Sequence, residues 1–163
     1  MPPLLVDIPF ILNDYPQLVT RTGVSGFHIG QEDLSLDKAR ALAGRDVIGG
    51  CSTHNITQAQ SASSAGADYI SFGPLFHAST KPGYPPTGLA HIKEVEVHEV
   101  EVLEVHDLVV HDLVSAPIFC IGGIKRENLP TILDAGARRV AIVPGILQAK
   151  LISGSFAETA RHY

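Results

Sequence analysis

Short apolar runs recur along the chain, and most of them end in glycine or a small polar residue. Runs of this kind are typical of strands that are buried on both faces of a sheet. Between them lie segments whose apolar residues recur every three or four positions, as in an amphipathic helix. The predicted strands are Phe10–Leu12, Gly26–Ile29, Val47–Cys51, Asp68–Phe72, Pro117–Ile121 and Arg139–Val143. The predicted helices are Tyr15–Thr22, Ser35–Leu42, Ile56–Ala65 and Leu129–Ala135.

Strands that alternate with helices predict a parallel sheet covered by helices, and the chain offers six such β/α units. Asn55 is placed to cap the helix Ile56–Ala65 and Gly66 to end it, and Gly44 is placed to end the helix Ser35–Leu42. The chain has 163 residues, enough for one domain with a hydrophobic core but fewer than the ~250 of a complete (β/α)8 barrel. We predict a single α/β domain over residues 1–163.

Residues 94–114 do not follow the alternation of strands and helices. In this segment valine alternates with glutamate, and the sequence Val-His-Asp-Leu-Val occurs twice in tandem. The alternation favours a strand, but its phase slips near His98, and a stripe of valines also fits a crossover helix. A metal site formed by His98, His106 and His111 is a further alternative. A low-complexity insertion with solvated histidines is the favoured interpretation.

Net charge and the chain's beginning narrow the class of protein. The net charge is -5, which gives no basic surface for nucleic acid or membrane. The first residues lack a basic region and a signal-type apolar core, so a cytoplasmic protein is expected. Cys51 and Cys120 fall in predicted strands, without the spacing of a metal site, and are expected to be buried free thiols.

Polar side chains follow several of the predicted strands, at the edge where parallel β/α folds bind ligands. They are Asn13, Asp14, Asp33, Ser52, His54 and Lys81. The asparagine, aspartate and serine residues among them could serve only as helix caps, but capping does not call for Asp14, Asp33 and Lys81 together. The two carboxylates suit Mg²⁺, which prefers a few carboxylates with water and phosphate oxygens, and Lys81 would add positive charge beside a diphosphate.

Glycine-rich loops end three of the strands. They are Phe72-Gly73-Pro74, Ile121-Gly122-Gly123-Ile124 and Val143-Pro144-Gly145-Ile146. In a β/α barrel, the backbone N–H groups of two such neighbouring loops can bind a phosphate. We therefore expect a phosphate to lie between the last two loops.

Several motifs together resemble thiamine-phosphate synthases. They are Phe10-Ile11-Leu12-Asn13-Asp14, Gly30-Gln31-Glu32-Asp33, Gly50-Cys51-Ser52-Thr53-His54, the run from Ala65 to Pro74, Ser79-Thr80-Lys81-Pro82-Gly83 and Ile121-Gly122-Gly123-Ile124. The resemblance implies a (β/α)8 barrel that joins hydroxymethylpyrimidine diphosphate to thiazole phosphate, releasing diphosphate with Mg²⁺ as cofactor. It makes Asp14 and Asp33 the magnesium ligands, and Asn13, Ser52 and Lys81 contacts of the pyrimidine diphosphate, with Ser52 and Lys81 as catalytic residues.

The same resemblance places the thiazole phosphate against Ser79, Thr80, Gly123, Val143 and Pro144. The chain departs from the family pattern in four ways. It begins just before the third strand of the barrel, Ala78 stands at a substrate-binding position where the family has a hydroxyl residue, Pro144 stands where it has serine, and residues 94–114 are inserted. One phosphate contact is therefore lost at Ala78, and Pro144 has neither an N–H nor a hydroxyl to donate.

Two other functions stay open at this point. A thiazole tautomerase would use His54 as its acid or base, although a structural histidine is the favoured interpretation. A catalytically inactive homologue would bind only the thiazole phosphate. A barrel wall with open sheet edges also favours association, so a homo-oligomer is expected.

Overall fold

The computed structural model describes residues 8–77, 85–92, 95 and 114–143. Strands and helices alternate along this part of the chain, as the apolar pattern predicts. The elements are β1 (Ile11–Asn13), a 3-10 helix (Pro16–Leu18), α1 (Val19–Thr22), β2 (Gly26–Ile29), α2 (Leu36–Ala43), β3 (Ile48–Thr53), α3 (Ile56–Ser64), β4 (Tyr69–Phe72), β5 (Ile118–Ile121), α4 (Leu129–Asp134) and β6 (Val140–Ala141).

The strands form one parallel sheet in the order β1-β2-β3-β4-β5-β6, so each strand pairs with the next one in the sequence. The register places Gly50 opposite both His28 and Tyr69, and it places Ser52 opposite Ser71. The predicted α/β class and parallel sheet are therefore confirmed. The sheet with its helices has the form of part of a β/α barrel.

The outward face of the sheet packs against the helices. Phe27, Ile70 and Phe72 are fully buried on this face, and the small side chains Ala39 of α2 and Ala59 of α3 belong to the same cluster. Because successive residues of a strand point to opposite faces, the intervening positions face the concave side of the sheet.

Predicted helix ends agree with the structure at two positions. The side chain of Asn55 accepts a hydrogen bond from the Gln58 N–H at 2.9 Å, which caps α3. Gly44 ends α2 at a φ of 100°, in the region that favours glycine. Tyr15–Thr22 is divided into a 3-10 turn and a short α-helix rather than one helix.

An ion pair between Arg40 and Asp68 lies at the amino-terminal edge of the sheet. Arg40 contacts Asp68 at 2.7 Å and donates to the carbonyls of Val47 and Gly66 at 2.9 and 2.8 Å, while Asp68 also accepts from the Gly49 N–H at 2.7 Å. Burial raises the pKa of Asp68, but the hydrogen bonds from Gly49 and Arg40 outweigh it, so the pKa lies below its usual range. Arg40 and Asp68 therefore use most of their hydrogen-bonding capacity on each other and on the nearby backbone.

Strand boundaries differ from the sequence-based expectation, most clearly in β3 and β6. β3 extends through Thr53, so Ser52 lies within the strand rather than after it. β6 contains only Val140–Ala141 of the predicted Arg139–Val143. Residues 94–114 lie outside the described part of the chain except Val95 and Val114, which are both buried.

Two simpler expectations can be compared with the structure. Neither Cys51 nor Cys120 forms a disulfide, and both are buried, as predicted. None of the helices in the described part of the chain has the length and apolar character that crossing a bilayer requires.

Candidate active site

A cavity of about 1130 Å³ lies on the concave face of the sheet. Its lining comes from alternate strand positions, so on β3 Ile48 and Ser52 face the cavity, whereas Cys51 and Thr53 are buried on the outward face. Pockets for small molecules usually measure ~300–1,000 Å³. The cavity is therefore large enough to hold two small substrates side by side.

Four polar side chains, which we call the floor network, are connected inside this cavity: His28, Ser52, Tyr69 and Ser71. Nδ1 of His28 lies 2.9 Å from the Tyr69 phenol oxygen, and its Nε2 lies 2.8 Å from Oγ of Ser52. Oγ of Ser71 donates to Oγ of Ser52 at 3.3 Å. Gln31 also donates to the backbone carbonyl of Ser52, at 2.6 Å. Ser52 is thus held from its backbone and from its side chain.

Gly50 makes room for this network. Its register partners on either side are His28 and Tyr69, and the ring of Tyr69 lies over the glycine. A Cβ atom at this position would lie 2.1 Å from Cζ of Tyr69, far inside van der Waals contact. The rings of Tyr69 and His28 stack with centroids 5.4 Å apart. The absence of a side chain at Gly50 allows Tyr69 to reach across β3 to His28.

Burial sets the protonation state of two groups near the floor. It raises the pKa of Tyr69 to about 12 and that of Cys51 to about 11. The phenol therefore keeps its proton at neutral pH and can donate a hydrogen bond. The Cys51 thiol also stays protonated, and it lies on the outward face, so it is not a nucleophile for this cavity.

The carboxylates predicted to bind magnesium both lie at the rim of the cavity, beside Asn13. Asp14 adopts a φ of 66°, in the left-handed region, and its N–H donates to the carbonyl of His28 at 2.9 Å. Oδ2 of Asp33 accepts the Gly30 N–H at 2.7 Å. Within the described residues, neither the Asp14 carboxylate nor Oδ1 of Asp33 has a hydrogen-bond partner.

The rim carboxylates fit the ligand preferences of Mg²⁺, which takes one or two carboxylates and completes its shell with water and phosphate oxygens. In the part of the chain that the structure describes, no group of three or more His, Cys, Asp or Glu side chains is close enough to hold a metal. A site built only from protein ligands is therefore not formed there. Two carboxylates at the mouth leave room for a ligand that brings its own oxygens.

His54 lies at the same rim, directly after β3. Its Nδ1 is hydrogen-bonded to the carbonyl of Gly73, and its backbone N–H donates to Oε1 of Gln58 at 2.7 Å. Because the Gly73 carbonyl can only accept, Nδ1 carries the proton in this contact. The arrangement ties the end of β3 to the end of β4, as expected of a structural histidine.

The glycine loop after β5 packs against the loop after β4. A Cβ atom at Gly123, where φ is 65°, would lie 2.7 Å from Cβ of Phe76, and Phe76 donates its N–H to the carbonyl of Gly122 at 3.2 Å. The glycines are therefore needed for close packing within the chain. Within the described residues, the N–H groups of Gly123 and Ile124 donate to no other group. The loop residues that line the cavity are Ile121 and Gly122, so the predicted contact Gly123 lies next to the lining rather than in it. Val143, the remaining predicted contact in this region, lines the cavity and is exposed.

The other predicted site residues are Ala78, Ser79, Thr80, Lys81 and Pro144, and all of them lie outside the described residues. The structure also identifies three candidate site residues that the sequence analysis did not single out: His28, Tyr69 and Ser71. A signal was present for His28, which stands alone as a polar residue between the apolar Phe27 and Ile29 of a predicted strand. In a strand with both faces buried, such a residue points into an interior cavity.

A parallel sheet with helices on one face, a large cavity on the other and acidic residues at the carboxyl-terminal edge are features of the β/α-barrel class, in which a cavity of this kind is the candidate site for a small molecule. A family model described as thiamine monophosphate synthase matches residues 5–146. The chain belongs to this family.

Individual relatives agree with the family. Thiamine-phosphate synthases from Halalkalibacterium halodurans and Thermus thermophilus are 38% and 39% identical to the chain over 91% and 87% of its length. One from Gloeobacter violaceus is 39% identical over 86%. The chain spans 64%, 61% and 37% of these three relatives, respectively.

Solved structures confirm the fold. Thiamine phosphate pyrophosphorylase from Pyrococcus furiosus superposes with a TM-score of 0.72 at 21% identity, over 95% of this chain and 67% of that one. A 3-hexulose-6-phosphate synthase superposes with a TM-score of 0.55 at 18% identity, over 90% of this chain and 65% of that one. Since proteins with different names share the architecture, the fold alone does not select a reaction.

Proposed function

We propose that the protein is a thiamine-phosphate synthase, which joins hydroxymethylpyrimidine diphosphate to thiazole phosphate and releases diphosphate. The observation that carries the proposal is the combination of family membership with a cavity whose polar floor and acidic rim lie on the same concave face. A (β/α)8 barrel that includes these six units, in a cytoplasmic protein that associates with itself, is the arrangement we propose.

The floor network suits the pyrimidine. Its hydroxyl and imidazole groups share the cavity with the apolar side chains of Ile11, Ile48 and Phe119. A flat heteroaromatic ring can bury its faces against such a surface while its ring nitrogens and amino group meet Ser52. The diphosphate would then extend toward the rim, near Asn13 and the two carboxylates.

Asp14 and Asp33 would hold a magnesium ion at that rim. When bound, Mg²⁺ would neutralise charge on the diphosphate as it leaves. Asp14 and Asp33 are suited to this because each keeps at least one carboxylate oxygen available within the described residues. Gly30 fixes the orientation of Asp33 through the 2.7 Å hydrogen bond to Oδ2. The backbone therefore positions the carboxylate before any ligand arrives.

The thiazole phosphate would bind at the other side of the mouth. Gly122 and Val143 line the cavity there, and the N–H groups of Gly123 and Ile124, which follow Gly122, have no acceptor among the described residues. Bare N–H groups at a strand end bind phosphate without a cationic side chain. The two substrates would thus enter at opposite sides and meet over Ser52, with their charged groups apart.

The experiment is to measure diphosphate release by the purified protein from both substrates with Mg²⁺, together with calorimetric titration of each substrate alone. We expect turnover that depends on both substrates. We also expect Asp33→Ala to abolish the magnesium-dependent turnover, and Asp37→Ala, on exposed α2 surface, to retain it. Thiazole phosphate binding without turnover would identify an inactive binding homologue, and magnesium-independent turnover would refute the roles of Asp14 and Asp33.

A further inference from the structure

The turn from Gly30 to Asp33 follows β2 directly and carries one of the two proposed magnesium ligands. Inside this turn, Oδ2 of Asp33 accepts the Gly30 N–H at 2.7 Å. The backbone bond across the same turn, from the Asp33 N–H to the Gly30 carbonyl, is long at 3.4 Å. Both contacts are internal, so they shape the turn but do not attach it to the rest of the sheet.

The side chain of Gln31 supplies that attachment. Its Nε2 donates to the backbone carbonyl of Ser52, on β3, at 2.6 Å. Because a carbonyl oxygen only accepts, the amide nitrogen of Gln31 rather than Oε1 must face it. Among the described residues, this is the only hydrogen bond that joins residues 31–33 to a strand or a helix. The position of the turn relative to β3 therefore depends on one side chain.

The carbonyl of Ser52 needs a side-chain donor because β2 ends too early to supply a backbone one. Ile29 is the last residue of β2 and stands opposite Cys51. Successive carbonyls of a strand point to opposite neighbours, and the carbonyl of Thr53 accepts a backbone N–H from the loop after β4 at 3.0 Å. The Ser52 carbonyl thus faces the β2 side, where the Gln31 amide takes the place of a backbone N–H.

We infer that Gln31 is a positioning residue, which holds the Asp33 carboxylate at a fixed separation from the Ser52 hydroxyl. All three side chains line the same cavity. The inference rests on the proposed function for the identity of the ligand, since a pyrimidine diphosphate with its metal ion would contact both Asp33 and Ser52. Such a ligand binds more tightly where the turn is already ordered, because ordering a loop on binding costs free energy.

The order of the turn can be measured without any activity. Gln31→Met keeps the length of the side chain but removes the N–H. In ¹⁵N relaxation of the full protein, we expect backbone order parameters for residues 31–33 near the ~0.85 of rigid backbone in the wild type, falling toward ~0.6 in Gln31→Met. Gln17→Met, an exposed position in the 3-10 helix, is the matched control and should leave them unchanged. Wild-type values already below ~0.6, or equal values in Gln31→Met and the wild type, would overturn the inference.

Ligand binding tests the consequence for the site. Calorimetric titration with hydroxymethylpyrimidine diphosphate, with and without Mg²⁺, gives the factor by which the metal tightens binding. We expect Gln31→Met to reduce this factor about fivefold, as for the loss of roughly one neutral hydrogen bond. Binding without Mg²⁺ should change by less than about twofold, and Gln17→Met should change neither value. An unchanged factor would contradict the positioning role, and an equal loss without Mg²⁺ would make Gln31 a direct ligand contact instead.

These results separate the inference from the proposed function. If the wild type bound the pyrimidine diphosphate equally well with and without Mg²⁺, the proposed roles of Asp14 and Asp33 would be contradicted, and the order parameters would still decide the role of Gln31. Turnover by a protein whose turn is already mobile would support the activity and contradict the positioning role. An ordered turn that depends on Gln31, without turnover, would do the reverse.

Discussion

The two edges of the sheet use polar residues in opposite ways. At the amino-terminal edge, Arg40 and Asp68 contact each other and the backbone carbonyl and N–H groups around them, so their hydrogen-bonding groups are largely saturated. At the carboxyl-terminal edge, Asp14 and Asp33 keep carboxylate oxygens without partners among the described residues. The first arrangement stabilises the fold, and the second leaves capacity for a ligand. In a β/α barrel this division between the bottom and the top of the strands is expected.

The largest stability loss should follow from Arg40→Met, which keeps the length of the side chain but removes its four donated hydrogen bonds. Asp68 would keep only the Gly49 N–H, and the carbonyls of Arg45, Val47 and Gly66 would lose the donor that Arg40 supplies. We expect the free energy of unfolding to fall by about 3 kcal/mol. Chemical denaturation would measure this, with Lys38→Met on the exposed side of the same helix as the control. A loss no greater than that of the control would mean that the amino-terminal edge does not stabilise the fold in this way.

Gly50→Ala should have the next largest effect, and its site is the floor of the cavity. The new Cβ would overlap the Tyr69 ring, so we expect a loss of about 2 kcal/mol together with disruption of the contact between Tyr69 and His28. Adding Tyr69→Ala should remove the overlap, so the double variant should be more stable than the sum of the two single effects predicts. Additive effects in denaturation would contradict the close approach.

Acid should weaken the amino-terminal edge by a smaller amount. The folded pKa of Asp68 lies below its unfolded value, so its contribution is present above about pH 4 and is lost as pH falls through the folded pKa. Because the Asp68 side chain is 49% exposed, solvent screening limits the effect to about 1 kcal/mol or less. Unfolding measured from pH 6 to pH 3 should show a shallower decline in Asp68→Asn than in the wild type. If the free energy of unfolding fell equally steeply with pH in both proteins, Asp68 would not be responsible for the loss of stability in acid.

Asp14→Gly should have the smallest effect on stability. Glycine adopts the φ of 66° without strain. We therefore expect this variant to be within about 0.5 kcal/mol of the wild type, and Asp14→Ala to be about 1 kcal/mol less stable than Asp14→Gly. Thermal unfolding of the three proteins would test this. If Asp14→Gly lost several times that amount, the carboxylate would be a structural group and the contrast between the edges would not hold.

The order of strands and helices could be predicted from the sequence because the patterns that mark each element lie within that element. Buried strands read as apolar runs, and Asn55 and Gly44 mark helix ends by their own chemistry. That Ser52 lies within a strand was harder to predict. Ser52 and Thr53 are polar, which is typical of a loop, although both belong to β3. Pairing with Ser71 and Phe72 across the ladder keeps them extended, and that pairing is a long-range property.

Part of the site also follows from the sequence, namely that Asn13, Asp14, Asp33, Ser52 and His54 share one cavity, as expected for strand ends on one edge. The floor network could not be predicted in the same way. Its members come from three strands, and their meeting depends on the register and on the space left by Gly50. The glycine pair after β5 was interpreted as a phosphate loop, and the structure adds a packing role for it that the sequence does not reveal.

The order of the strands has a consequence for how the chain reaches this state. Each of the six strands in the described part of the chain pairs with its neighbours in the sequence, so a growing chain can add each of these strands to an edge that already exists, without waiting for a distant partner. Such a sheet can assemble during synthesis, beginning with the first strand-helix-strand unit. The longest pause falls between β4 and β5, from Phe72 to Ile118, when the fourth strand is the exposed edge. A ribosome-stalled series ending in that interval would be the place to find the most persistent nascent intermediate.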